Sequence, residues 1–194
     1  LLFILVFIES FQITINSVRI EFFDYLLQYH VFSVFFSCFC LMVLINGSNF
    51  IDGVNTLAIG YYLIVFISIT FFTNIFDNVS LNKDLFITLI FIFFCLFILN
   101  FLELLYLGDN GSYLISFLAG VILIYLSIQS DKISPYYIMN LLWLPAYENL
   151  FSIIRKLKSK KSAFNPDNLH LHHLIFLIVK KKVSSKKIAN SFSG

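Results

Sequence analysis

Apolar residues in this chain fall in runs long enough to cross a bilayer, separated by short polar stretches, and no other feature narrows its fold as far. A helical span needs about 20 predominantly apolar residues. The runs extend from Leu1 to about Ile15, Tyr29 to Ile45, Val54 to Thr73, Leu85 to Leu102, Tyr113 to Ile128, and Pro135 to Ile154. They lack the period-2 alternation of barrel strands, and hydrocarbon leaves no other way to satisfy backbone polar groups, so each is expected to be a helix. The expected fold is all-α, a polytopic transmembrane bundle of about six spans whose loops form the site. With 59% hydrophobic and 12% charged residues, against about 45–50% and 25% in soluble domains, a soluble globular fold is excluded. The chain opens at Leu1 inside an apolar run without an initiator Met or a basic n-region, so it reads as a fragment of a larger chain rather than as a signal peptide.

Ten of the thirteen Lys and Arg residues lie between Arg155 and Lys187. Basic clusters beside spans mark the cytoplasmic side. Residues 1–154 are therefore expected to form the membrane region, its first span truncated, and residues 155–194 a cytoplasmic loop with a short interfacial helix. Counting spans backward places Asn46 to Asp52 and Glu103 to Ser112 on that same side. Asp84 is a candidate N-cap, Ser134-Pro135 has the form of a helix start, and Pro145 is expected to kink the last span. Cys38, Cys40 and Cys95 sit in apolar runs without ligand spacing and read as small buried hydrophobes. His30 reads as an interfacial residue.

Three polar clusters could carry chemistry. In Asn46-Gly-Ser-Asn49-Phe-Ile-Asp52-Gly-Val-Asn55, a helical stretch would bring Asn46, Asn49 and Asp52 to roughly one face. Capping explains any one of them, but so many amide and carboxylate groups at a membrane edge point to a site. In Leu107-Gly-Asp109-Asn110-Gly-Ser112, Ser112 or Asn110 could cap the next helix, and Asp52, Asp109 and the Asn49 carbonyl are suitable ligands for a hard cation. In Asn165-Pro-Asp-Asn-Leu-His170-Leu-His172-His173, three of the four histidines fall within four residues, after a basic stretch beginning at Arg155. Phosphate binding suits this set better than zinc, since no Cys is nearby. Leu174 to Val179 is too short to span and should lie at the interface. Asn100, Glu103 and Glu148 lie within or near spans, where polar groups face the bundle interior.

Taken in order, NGSNFIDGVNTLA, LGDNGS and NPDNLHLHH resemble the polyprenyl-phosphate N-acetylhexosamine-1-phosphate transferases, relatives of phospho-N-acetylmuramoyl-pentapeptide transferase within glycosyl transferase family 4. The resemblance implies a multi-pass enzyme of the bacterial inner membrane with its active site facing the cytoplasm. It would transfer sugar-1-phosphate from a UDP-N-acetylhexosamine to undecaprenyl phosphate, releasing UMP, with Mg²⁺ or alternatively Mn²⁺ as cofactor. That reaction is the first membrane step of envelope polysaccharides such as O-antigen lipopolysaccharide. Asp52 and Asp109 are implied as catalytic, and Asn49, Asp52 and Asp109 as metal ligands. Asn46, Asn55, Asn100, Arg155, His170, His172 and His173 are implied as substrate-binding. The implied partners are the nucleotide sugar, the polyprenyl phosphate and the bilayer, with a homodimer as a candidate assembly and no nucleic acid. Asn55 and Thr56 stand where many relatives have Asp and Gly. The family's adjacent Asp pair, which handles the acceptor phosphate, is absent, so the 194-residue chain by itself is expected to be inactive. The competing readings are a membrane transporter and a catalytically degenerate lipid-binding paralogue.

Overall fold

A computed structural model describes residues 1–72, 83–130 and 133–158. Among these residues the chain is all helical, with no strand. The elements are α1 (Leu2–Phe11), α2 (Glu21–Leu27), α3 (His30–Ile51), α4 (Leu57–Phe72), α5 (Lys83–Phe101), α6 (Gly108–Gln129), α7 (Pro135–Leu141) and α8 (Trp143–Lys158). Three of them are long and apolar enough to cross a membrane: α3 over 22 residues, Asp84–Phe101 of α5 over 18, and α6 over 22. α1 and α4 are apolar but shorter. The end of the third expected span and most of the Asp77–Asp84 connection lie outside the described residues.

Bilayer physics shows in which side chains turn inward. Phe35, Phe39, Phe71, Phe91 and Phe94 are exposed, whereas Ser33, Ser37, Ser48, Ser112 and Ser116 are buried. Lipid accepts the phenyl rings, so apolar area gives helices no reason to associate and small residues that permit close packing take the interfaces. Three of the buried hydroxyls are satisfied within their own helices: Ser37, Ser48 and Ser116 each donate to the carbonyl four residues earlier. Along α6, Ser112, Ser116, Ala119 and Gly120 are buried, and a Cβ on Gly120 would meet the side chains of Leu41 and Leu44 of α3 at 2.4 and 2.9 Å. α4 and α5 pack as a pair through Phe66, Phe86 and Phe93, the Phe66 and Phe93 rings lying 5.1 Å apart.

Several boundaries differ from those expected. α1 stops at Phe11 because Gln12 takes a left-handed conformation with φ 51°. The chain then lies against α3, with the Ile15 N–H donating to Ser37 Oγ at 2.7 Å and Ser33 Oγ donating to the Ile15 carbonyl at 2.8 Å. The polar turn around Asp24 contains the short helix α2, and Asp24 receives the Ser17 hydroxyl and the Val18 N–H. His30 opens α3, is exposed, and pairs with Glu9 at 3.1 Å. Asp84 lies inside the first turn of α5 rather than at its cap. Cys38 is buried, and Cys40 and Cys95 are partly so, all three free.

The last apolar run is not one kinked helix. It breaks at Leu142, and Pro145 sits in the first turn of α8, where proline removes no intrahelical hydrogen bond. Ser134 caps α7 by accepting the Tyr136 N–H, with Pro135 behind it, as the sequence suggested. α8 continues past Ile154 to Lys158 and turns a polar stripe inward: Glu148, Asn149 and Ser152 are buried, together with Pro145, while Leu150, Ile153 and Leu157 are exposed. It packs along α3, where Asn149 Nδ2 donates to the Val43 carbonyl at 3.2 Å.

Candidate functional site

Two segments distant in sequence meet at one end of the bundle. α3 runs through Asn46, Gly47, Ser48 and Asn49 before ending at Ile51, so the first polar cluster is the last turn and a half of a helix followed by a loop. A short turn, with Thr56 at φ 73°, then starts α4. After α5, a second turn has Glu103 at φ 59° and Gly108 at φ 61°, and α6 starts at Gly108, well before Tyr113. The glycine accommodates its positive φ without the Cβ penalty, and the chain turns there directly into the helix. Neither Asn110 nor Ser112 caps α6; both lie within its first turns, and Ser112 Oγ donates to the Asp109 carbonyl at 3.1 Å.

The two segments enclose a polar cavity of about 390 Å³. Asn49, Asp52, Gly53 and Asn55 line it from the first segment, and Leu107, Gly108 and Asp109 from the second. Direct hydrogen bonds tie the walls together. Ser112 Oγ donates to Asn49 Oδ1 at 3.2 Å, and Asn49 Nδ2 donates to the Tyr113 hydroxyl at 3.3 Å. Asn100, from the end of α5, reaches the floor of the cavity and is only 4% exposed. Its Oδ1 accepts the Thr56 N–H and its Nδ2 donates to the Leu105 carbonyl at 2.8 Å.

The electrostatics are set by two carboxylates. Asp52 follows the last residue of α3; burial, and then the nearby charge of Asp109, push its carboxyl up to about 7. Asp109 occupies the first turn of α6, where the helix dipole favours negative charge. A half-buried carboxylate with a second one nearby is costly unless a cation or a proton sits between them. Among the described residues no group of three or more His, Cys, Asp or Glu side chains comes together. Two carboxylates, an amide oxygen and open space are the donor set that suits a hard divalent cation, which commonly takes its remaining ligands from substrate phosphates and water. Among the described residues the lining contains no Cys or His, the ligands that softer metals favour.

Of the residues singled out in the sequence, Asn49, Asp52, Asn55, Asn100 and Asp109 therefore converge on one cavity. Asn46 is exposed and lies outside its lining. Arg155 lies on α8, with its guanidinium 5.2 Å from the centre of the Phe151 ring, and is not part of the lining either. His170, His172 and His173, and the short apolar run after them, lie outside the described residues. Sequence reasoning missed Tyr106, whose exposed ring lines the cavity. It also missed Tyr113, which holds Asn49. The only signal for Tyr106 was an aromatic residue three positions before Asp109, which is unremarkable in a chain with 25 Phe and 10 Tyr.

The sequence is similar to that of known proteins over most of its length. The family model for glycosyl transferase family 4 matches residues 1–127, a range that includes every residue lining the cavity. The undecaprenyl-phosphate alpha-N-acetylglucosaminyl 1-phosphate transferase of Escherichia coli (strain K12) is 30% identical over 151 residues, covering 74% of this chain and 41% of the relative. The protein of that name from Shigella flexneri matches equally. The decaprenyl-phosphate N-acetylglucosaminephosphotransferase of Mycobacterium leprae is 30% identical over 160 residues, covering 70% of this chain and 39% of the relative. The chain thus spans about two-fifths of the length of these relatives. No solved structure matches. An apolar helix bundle that gathers the Asn-x-x-Asp and Gly-Asp-x-Gly-Ser segments into one polar cavity, and whose sequence matches the family over most of its length, is a multi-pass membrane member of glycosyl transferase family 4.

Proposed function

We propose that this chain carries the metal and nucleotide-sugar half of a phosphosugar transferase active site. The enzyme moves sugar-1-phosphate from a UDP-N-acetylhexosamine to undecaprenyl phosphate at the cytoplasmic face of the bacterial inner membrane, as a first step in envelope polysaccharide synthesis. The observation that carries the reading is the meeting of Asp52 and Asp109 in a polar cavity at one end of an otherwise apolar bundle. A lipid acceptor and a water-soluble donor need a site at that kind of boundary.

In the transfer, an oxygen of the acceptor phosphate forms a bond to the β-phosphorus of the donor. The bond from that phosphorus to the bridging oxygen breaks, and its electron pair leaves with UMP. Mg²⁺ held by Asp52, Asp109 and the Asn49 carbonyl would offset charge on the pyrophosphate as it divides. The Ser112 and Tyr113 hydroxyls orient the Asn49 amide, so that its oxygen keeps a lone pair for the cavity. Tyr106 offers a flat ring at the cavity wall, a suitable surface for a nucleobase. Asn55 supplies a further polar group toward the donor. The three histidines are assigned to its phosphates, as the motif resemblance implies, and Arg155, which lies outside the cavity lining, on its charge alone.

The test is UMP release by the purified full-length gene product from UDP-N-acetylglucosamine and undecaprenyl phosphate. Release is expected with Mg²⁺, and none after chelation. The 194-residue chain alone should release none, because it contains no adjacent Asp pair. Absence of UMP from the full-length protein, with lipid and metal supplied, overturns the reading in favour of transport or of binding without catalysis.

The raised carboxyl of Asp52 gives a pH dependence with a definite sign. A cation binds the ionised form, whereas burial and Asp109 favour the protonated form up to about pH 7. Protons therefore compete with metal, and affinity must fall as pH drops through that value. With one proton displaced, apparent Mn²⁺ affinity is expected to weaken about tenfold between pH 8 and pH 6. Affinity independent of pH over that range would mean that no ligand of the ion has its carboxyl raised as far as Asp52's.

A further inference from the structure

We infer that Asn100 is the positioning residue of this site, locking the Asp52 loop to the Asp109 loop through its own amide instead of reading the nucleotide. The inference rests on the metal-dependent reading above. Three contacts carry it. The Asn100 side chain accepts from the Thr56 N–H on one loop and donates to the Leu105 carbonyl on the other. Its main-chain carbonyl accepts the Glu103 N–H at 3.1 Å, which fixes the turn out of α5. Thr56 lies four residues after Asp52, and Leu105 four residues before Asp109, so one buried amide spans the two carboxylate-bearing segments.

The backbone of both loops needs such a brace. Thr56 is β-branched at φ 73°, and Glu103 sits at φ 59°, conformations that L residues adopt only where their surroundings impose them. The group Asn100 Oδ1 engages is the N–H of Thr56 itself. Each engaged amide atom points at a loop backbone, and with 4% of the residue exposed little of it is left for a ligand. Another cavity, between α3, α6 and α7, is almost wholly apolar and shares no residue with this network.

Mn²⁺ titration followed by electron paramagnetic resonance, on the full-length gene product in detergent, tests the inference together with steady-state kinetics. Asn100→Ala should weaken Mn²⁺ binding by about tenfold or more and lower kcat comparably, while the KM for the nucleotide sugar stays within about threefold, because loops freed from the brace no longer hold the carboxylates together. Asn100→Ser, smaller but still polar, stands in where the alanine protein does not fold, with the same expectation. Unchanged Mn²⁺ affinity with a raised donor KM would make Asn100 a nucleotide contact and overturn the inference, leaving the transferase reading intact. Unchanged affinity and kinetics would overturn it equally. A wild-type protein that binds no Mn²⁺ would instead take down the metal site and this inference with it.

Discussion

Asp109→Asn in the full-length gene product should reduce UMP release by about 10²–10³-fold, the usual effect of deleting one preorganised electrostatic contact to a reacting phosphate or oxyanion. The protein should still accumulate in membranes at its normal level. Asp109 is exposed in the first turn of α6, so losing its charge deprives the site of a ligand while removing nothing from the packed interior. Substitutions at such positions usually change stability by about 0.5 kcal/mol or less. A second readout follows from the coupling of the two carboxylates. Asp109 is the smaller of two causes that hold the Asp52 carboxyl up, and burial is the larger. The variant should therefore bind metal more weakly, and the pH at which its residual binding fails should move down without reaching the ordinary carboxylate range. Full activity with normal Mg²⁺ dependence would show that Asp109 is not a ligand.

Gly47→Ala is expected to damage the fold more than the same change at Gly60, Gly111 or Gly120, where the obstacles are side chains. Gly47 is buried where α3 meets α8, and a Cβ there would fall 2.0 Å from the carbonyl oxygen and 3.0 Å from the Cα of Pro145. Both are main-chain atoms, so no rotamer change relieves the clash and the helices must separate. Overpacking of this kind costs about 1–3 kcal/mol, occasionally more. At about 2–4 °C per kcal/mol for a chain of this size, the detergent melting temperature should fall by about 2–12 °C. Separation would also strain the Asn149 bond to the Val43 carbonyl and shift the polar face of α8. Gly60→Ala is the control: its Cβ meets only the ring of Phe97, at 3.0 Å, and that side chain can give way. Equal melting temperatures for the two variants would mean that α3 and α8 do not approach as closely as Gly47 and Pro145 indicate.

Legibility differed between the fold and the site. Long apolar runs announced helices because hydrocarbon permits little else, and α3, α5 and α6 lie within the expected runs or extend them. Ends were less legible. The polar letters of NGSN and GDNGS look like loop residues, yet they continue α3 and open α6, because helix ends at a membrane edge tolerate polar side chains and loops at this site are kept short. The break at Leu142 was equally hidden, since proline in a first turn and proline in a helix interior have the same sequence signature. α8 was the least readable element: its inward face is the polar one, and a one-dimensional apolar count does not say which stripe meets protein and which meets lipid.

What the sequence by itself determined is the material: an all-helical membrane chain, and two Asn and Asp clusters of a composition suited to phosphate and divalent-cation chemistry. Hydropathy and side-chain chemistry are properties of residues and of short windows, so they survive without coordinates. Only the tertiary structure decided that Asp52 and Asp109 share one cavity, that Asn100 braces both walls, and that Tyr106 faces the opening while Asn46 does not. Those facts depend on how α3, α5 and α6 are placed relative to one another. Close packing at Gly47 and Gly120, and amide bonds between residues tens of positions apart, set that placement.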